Sequence, residues 1–257
     1  MVIPIFTTHF SIGDSILTLD DTSKIDRNKP VSVFAIAKTY GLDEIYLVEN
    51  NFSGVIDAFE ISRKNNIHLK FGLKLCVCKN LKEKDNDSLI TESNVIIWAL
   101  NEQGYYDLLK IYNLAATDGF YYVPRMDWEN LNRLFTDNLA LSFPFYSSYL
   151  AKNYLYVHNS SIVPLLTSIR NFNYLIESHN HIVDEPLNKK IRAINSVRIA
   201  NTHSIYYYDS DAAKKHMIFK ISHDGGNYEK PELKHFSSDE FSFTSYLERK
   251  NDVTQIQ

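Results

Sequence analysis

The chain has 257 residues, long enough for one large α/β domain or two small ones with a substantial core. Hydrophobic residues at 44% and charged residues at 23% are ordinary globular values and argue against a disordered chain. A net charge of −4, with 27 Lys plus Arg against 31 Asp plus Glu, argues against general electrostatic affinity for DNA and leaves only a local basic patch open.

Taken in order, 1–6 reads as a strand and 31–40 as a helix, with Val33, Phe34, Ala37 and Tyr40 at helical spacing and Gly41 as its C-cap. Residues 45–49 read as a strand, and Ser53 as the cap of a helix carrying Val55, Ile56 and Phe59. A strand over 68–78 is followed by a polar stretch, 79–92, expected to be a mobile loop. The run 94–100 is apolar throughout, as a strand covered on both faces should be. Tyr105, Leu108, Leu109, Tyr112 and Ala116 mark an amphipathic helix. Later strands are expected at 138–142, 154–157, 172–176 and 204–208, with helices over 161–170, 187–200 and 209–221, the last capped by Asp209. Beyond Ile221 the rhythm stops, and 222–257 reads as a polar C-terminal extension. Strands alternating with helices indicate a parallel β/α arrangement, either an open sheet or a barrel.

Three local patterns invite chemistry and are better read as structure. Cys76 and Cys78, the two cysteines, have no second pair for a zinc site and read as packing residues on a strand, unable to bridge one another. His179-Asn180-His181 precedes Asp184-Glu185-Pro186, which favours a solvated turn. Tyr206, Tyr207 and Tyr208 alternate along a strand, so at least one face is core. No phosphate-cradling glycine motif occurs, no apolar run reaches membrane-spanning length, and no signal peptide is visible, so a cytoplasmic protein is expected.

A set of segments in fixed order carries a family resemblance. NEQGY at 101–105, followed by Leu108 and Leu109, is similar to "KNxxGYxNL"; DGFYYVPRMD at 118–127 is similar to "EGFYYKPRID". NLALS at 138–142 resembles "GLIALSG", FSIGD at 10–14 resembles "YSLLDG", and KFGLK at 70–74 resembles "KPILGCE". Residues 211–216 resemble the "EDAEAH" helix, and 235–243 the "GDQFYLKS" stretch leading towards a polymerase palm. The chain thus resembles the PHP (polymerase and histidinol phosphatase) domain of the bacterial DNA polymerase III α subunit.

The resemblance implies a distorted (β/α)7 PHP barrel of parallel strands over 1–221 as the single main domain, with 222–257 as the link towards a palm. It also implies, in active members, a cluster of His, Asp and Glu holding two or three cations for phosphoester hydrolysis, in some polymerases as a 3′–5′ exonuclease. Here those ligand positions fall on Ile5, Thr7, Lys74, Asn94, Ser204 and Tyr206, which are poor metal donors. Asp14 matches the family's acid, Glu49 stands in for the Asp of "TDH", and "SGC" becomes Ser142-Phe143-Pro144. His9 lies outside the frame unless the register slips by two, and His203 is a stray histidine.

Neither a catalytic site nor a cofactor is therefore expected, and Lys74 is expected to offer its charge to Asp14 or Glu49. The function implied is a non-catalytic replication module, half of a split polymerase, a phage-borne copy or a chain cut at a domain boundary. Its partner would be a DNA polymerase core fragment or a proofreading exonuclease, with nucleic acid met only indirectly and no membrane. A second reading is a phosphoesterase or exonuclease binding Zn, Mn or Mg at the barrel mouth through His9, Asp14, Glu49, His179, His181 and His203. A third is a protein-interaction module directed at a replisome.

Overall fold

A computed structural model of the chain describes residues 2–90, 92–155, 163–195, 197–223 and 240–255. The fold class is mixed α/β, of the (β/α)7 barrel type that the resemblance implies. Two compact units make it up: Met1–Phe71, Glu177–Asp184 and Asn201–Gln257 form the first, Gly72–Ile176 and Glu185–Ala200 the second.

In the first unit the parallel strand β1 (Ile3–Phe6) lies between β2 (Glu44–Glu49) and β8 (Ile199–Ile205). Ile5 stands beside Tyr46 on one side and Ser204 on the other. Helix α1 (Val33–Tyr40) starts where the Ser32 hydroxyl accepts from Phe34 N, and ends at Gly41 in the left-handed region, φ 62°. In α2 (Val55–Lys64) Gly54, not Ser53, occupies the N-cap and offers no side-chain cap; a Cβ at Gly54 would come within 2.3 Å of the Phe10 ring. The inward face of α2 is Val55, Ala58 and Ser62; of the apolar residues the helix carries, Ile56 and Phe59 are 65% and 58% exposed.

The stretch after β8 also differs from its reading. A 3-10 turn, Ser210–Ala212, precedes α8 (Ala213–His223), and Asp209 gives no side-chain cap because its carboxylate meets Arg27 at 3.3 Å. Further on, α9 (Phe243–Gln255) is a helix within the stretch that reads as a polar C-terminal extension. Ser245 N donates to the Ser242 hydroxyl, a side-chain cap that the sequence reading passed over. Phe241 O accepts from Tyr206 N, while Phe243 N and Thr244 N donate to Tyr207 O and Tyr208 O, so this segment runs alongside Tyr206–Tyr208. Phe243 is fully buried against Phe6, Tyr40, Tyr208 and Tyr246.

The second unit orders its strands β5 (Arg125–Asp127), β3 (His68–Cys78, entering the unit at Gly72), β4 (Ser93–Ala99), β6 (Leu139–Phe143), β7 (Phe172–Ile176). β4 is antiparallel to both neighbours, a break in the parallel arrangement. Helix α4 (Glu102–Ala116) is capped by Asn101, whose side chain accepts from Gly104 N. Helix α5 (Trp128–Leu134) follows β5, and α6 (Tyr149–Leu155) holds Tyr154 where a strand was expected. Residues 163–170 form no helix, and 156–162 lie outside the described residues. α7 (Asp184–Arg192) ends eight residues earlier than the periodicity suggests, because β8 already begins at Ile199.

The stretch 79–92 contains a short helix, α3 (Asn86–Ile90), and is tied down by a buried guanidinium. Arg125, fully buried, donates to Glu92 Oε1 (2.9 Å), Ser88 Oγ (3.2 Å), Glu83 O (3.0 Å) and Gly119 O (3.3 Å). A buried cation needs its donors satisfied, and the polar residues of this loop satisfy them. The rest of the core gathers around Phe143, with the rings of Trp128, Tyr149, Phe172 and Tyr174 at 4.8–6.4 Å.

Phe243→Ala is expected to destabilise the chain by about 3–5 kcal/mol in urea unfolding, because it empties a fully buried ring site. A loss below about 1 kcal/mol would show that the helix is not part of the cooperative fold.

Candidate functional site

The strand register of the first unit decides what meets at the C-terminal ends of β1, β2 and β8. Two residues beyond the Phe6–Leu47 pair, Glu49 meets Thr8. Glu49 is 1% exposed. Its Oε1 accepts from Thr8 N at 3.0 Å and Thr8 Oγ1 at 2.6 Å, and its Oε2 accepts from the Ser11 hydroxyl. Ser11 Oγ accepts in turn from Asn50 N at 2.9 Å. Burial pushes the Glu49 carboxyl up to about 7; the Ser11 and Thr8 bonds pull it down, and the Asp14 charge adds to the rise.

A second buried carboxylate follows β7 and was not singled out in the sequence. Glu177 is 4% exposed. Thr202 and Ser204, two apart on β8, face it together: Ser204 Oγ donates to Oε1 at 2.9 Å and Thr202 Oγ1 at 3.5 Å, while Ser204 N donates to Oε2 at 3.1 Å. His179 Nε2 lies 2.7 Å from Oε2. Burial alone would raise this acid, but the His179 bond and charge and the two Ser204 donors outweigh it, leaving Glu177 below the usual carboxylate range.

His179 and His181 do lie in a turn, with Asn180 in the left-handed region, but the expected solvated turn is wrong for His179, which is fully buried. The turn is held from inside: His179 N and His181 N both donate to Asp184 Oδ2, at 2.7 and 3.1 Å. The His179 ring stacks on Phe241 at 3.9 Å and lies 4.4 Å from His203. His203 is 1% exposed, its Nε2 has no hydrogen-bond partner among the described residues, and burial pushes its pKa down to about 3, so the ring is neutral.

The remaining expected positions scatter by environment. Ile5 and Thr7 are buried, Ser204 is engaged by Glu177, and the Tyr206 ring stacks on His216 and lies against Phe241. Asp14 is half-buried; its carbonyl accepts from His216 Nε2 at 2.8 Å. His9 faces outward and is exposed, its ring against Phe10 and Nδ1 3.2 Å from Leu17 O. In the second unit Lys74 pairs with Ile96 and Asn94 with Cys76, which places both on one face of the β3–β4 pair. Ser142 joins adjacent strands, accepting from Trp98 Nε1 at 2.8 Å and donating to Asn173 Oδ1 at 2.5 Å.

A multinuclear cation site does not fit this donor set. Ile5 supplies no donor, Glu49 and Glu177 are enclosed by the chain's own hydrogen bonds, and His9 points outward. Among the described residues no three His, Cys, Asp or Glu side chains are grouped as metal ligands would be. No helix among them is long and apolar enough to cross a membrane.

The family model for the PHP domain matches residues 7–181. DNA polymerase III subunit alpha of Borreliella burgdorferi is 28% identical over 128 residues, which is 49% of this chain and 11% of that protein. The same subunit of Chlamydia muridarum is 31% identical over 103 residues, 38% of this chain and 8% of that protein; the Chlamydia trachomatis subunit is 30% identical over the same length. The matched stretch therefore spans about a tenth of the curated relatives' length.

Glu49 titrates near pH 7 when folded and near 4.5 when exposed. Because the folded state holds the proton longer, Glu49 costs stability as pH rises through that window, by at most about 1.4 kcal/mol per pH unit. Glu49→Gln should therefore gain on the parent by up to about 3 kcal/mol between pH 4.5 and 7, with no further gain above, in denaturant titrations across pH. A pH-independent difference would contradict this assignment.

Proposed function

The chain belongs to the PHP domain family, and from that premise we propose that it is a non-catalytic member acting in DNA replication, as a structural or protein-docking module. Its partner, on this reading, is a DNA polymerase core polypeptide or a proofreading exonuclease in the cytosol. The similarity to polymerase III alpha subunits supports the replication setting.

The single observation that carries the non-catalytic part is the way Glu49 and Glu177 are satisfied. Metal-assisted phosphoester hydrolysis needs carboxylates and imidazoles converging on cations that activate water and neutralise the phosphate. Here both carboxylates instead accept from hydroxyls, amides and one imidazole of the chain, and an isoleucine stands where a cation-holding side chain would be needed. No hydrolytic step follows from such a set. The phosphoesterase reading would require His9, exposed, to join His179 and His203, both buried.

Elemental analysis of the purified chain is expected to find zinc and manganese well below one per molecule, and a chelator should leave the melting temperature unchanged. Mixed with a polymerase III α-type core fragment at micromolar concentration, the chain should co-elute from a sizing column. Stoichiometric metal, or a manganese-dependent nuclease activity abolished by Asp14→Ala, would overturn the non-catalytic reading; independent elution from both a core fragment and an exonuclease would overturn the docking role.

A further inference from the structure

The second unit presents a surface that the replication reading does not use. Leu187 and Ile191, four apart on α7, are 0% and 1% exposed, which fixes the helix's inward stripe. Lys189, Lys190 and Arg192 are left exposed, and Arg198, also exposed, follows just before β8. Cations in the last turn of a helix are favoured by its carbonyl end, so their position alone identifies no ligand.

The ring among them adds an independent feature. Tyr154 of α6 is 37% exposed, and Lys190 Nζ stands 5.1 Å from its centroid. Glu185, one turn before Lys189 on the same helix, meets it at 2.6 Å, with both side chains at least 75% exposed. A pair so open to water is screened and weak, and a phosphate can replace the carboxylate at little cost. On a chain of net charge −4, these cations beside an exposed aromatic ring are a local reversal of sign.

We propose that the α6–α7 surface binds single-stranded DNA, Lys189, Lys190 and Arg192 taking phosphates and Tyr154 stacking on a base. Side chains three apart on a helix lie about 5–6 Å apart at Cβ, so Lys189 and Arg192 can serve neighbouring phosphates. The ring selects a single strand over a duplex, because a base face is free to stack only when it is not already stacked. An acidic protein segment would satisfy the cations equally but, lacking a flat base, would gain no stacking from the ring beside them. The proposal stands apart from the partner assignment: a chain that never pairs with a polymerase fragment can still bind DNA here.

Fluorescence anisotropy with a labelled oligothymidylate of about 20 nucleotides tests it, and binding should weaken with salt at a log–log slope near −2 for three phosphates. The triple reversal K189E/K190E/R192E is expected to lower affinity at least about tenfold and to flatten that slope. Tyr154→Leu should weaken binding about tenfold with the slope unchanged. K29E/R63E in the first unit should leave binding as it is, and circular dichroism of every variant checks that the fold survives. No binding at low salt, parent-like binding by the folded triple variant, or equally tight binding of a polyglutamate peptide with Tyr154→Leu silent would each overturn the proposal.

Discussion

Taking a carboxylate out of water is costly unless hydrogen bonds replace the solvent, and the first unit does this twice with opposite electrostatic results. Glu177 and Glu49 are both nearly inaccessible, and both accept from backbone and hydroxyl donors. What separates them is charge. Glu177 has the His179 imidazole at 2.7 Å and falls below its usual range, whereas Glu49 has only neutral donors and the field of Asp14, and rises. The same residue type is therefore held ionised in one place and half-protonated near neutrality in the other.

These bonds also fasten the chain. Glu177 ties the residues after β7 to Thr202 and Ser204; His179 then brings in Phe241, and Phe241 leads into α9. Glu49 closes the end of β2 onto Thr8 and Ser11. Both links are made between strand ends by the chain's own side chains. Arg125 plays the matching part in the second unit, gathering 79–92 through Glu83, Ser88 and Glu92.

Local signals were legible in proportion to how local their cause is. Helices α1 and α4 and strands β2, β3 and β4 follow from apolar spacing within a few residues, and so fall close to where the periodicity puts them. In α2 it is Val55 and Ala58 that are buried and Ile56 and Phe59 that are exposed, an offset of about 100° around the helix axis that neighbouring apolar residues cannot specify. α9 was passed over because its anchor, Phe243, is buried by Phe6, Tyr40 and Tyr208, residues 35 to 237 positions away in the chain. Glu177 gave one usable signal, an acid directly after an apolar strand, but nothing local said that it would be enclosed.

By itself the sequence determined the α/β class, the family and the residue types at the expected ligand positions, because each is carried by short-range pattern and by identity at a position. Tertiary structure alone decided that Glu49 meets Thr8 and Ser11, that Glu177 sits between His179 and Ser204, and that His203 is buried beside the His179 ring. Those pairings join residues as far as 41 apart through strand register, and register is a property of the assembled sheet.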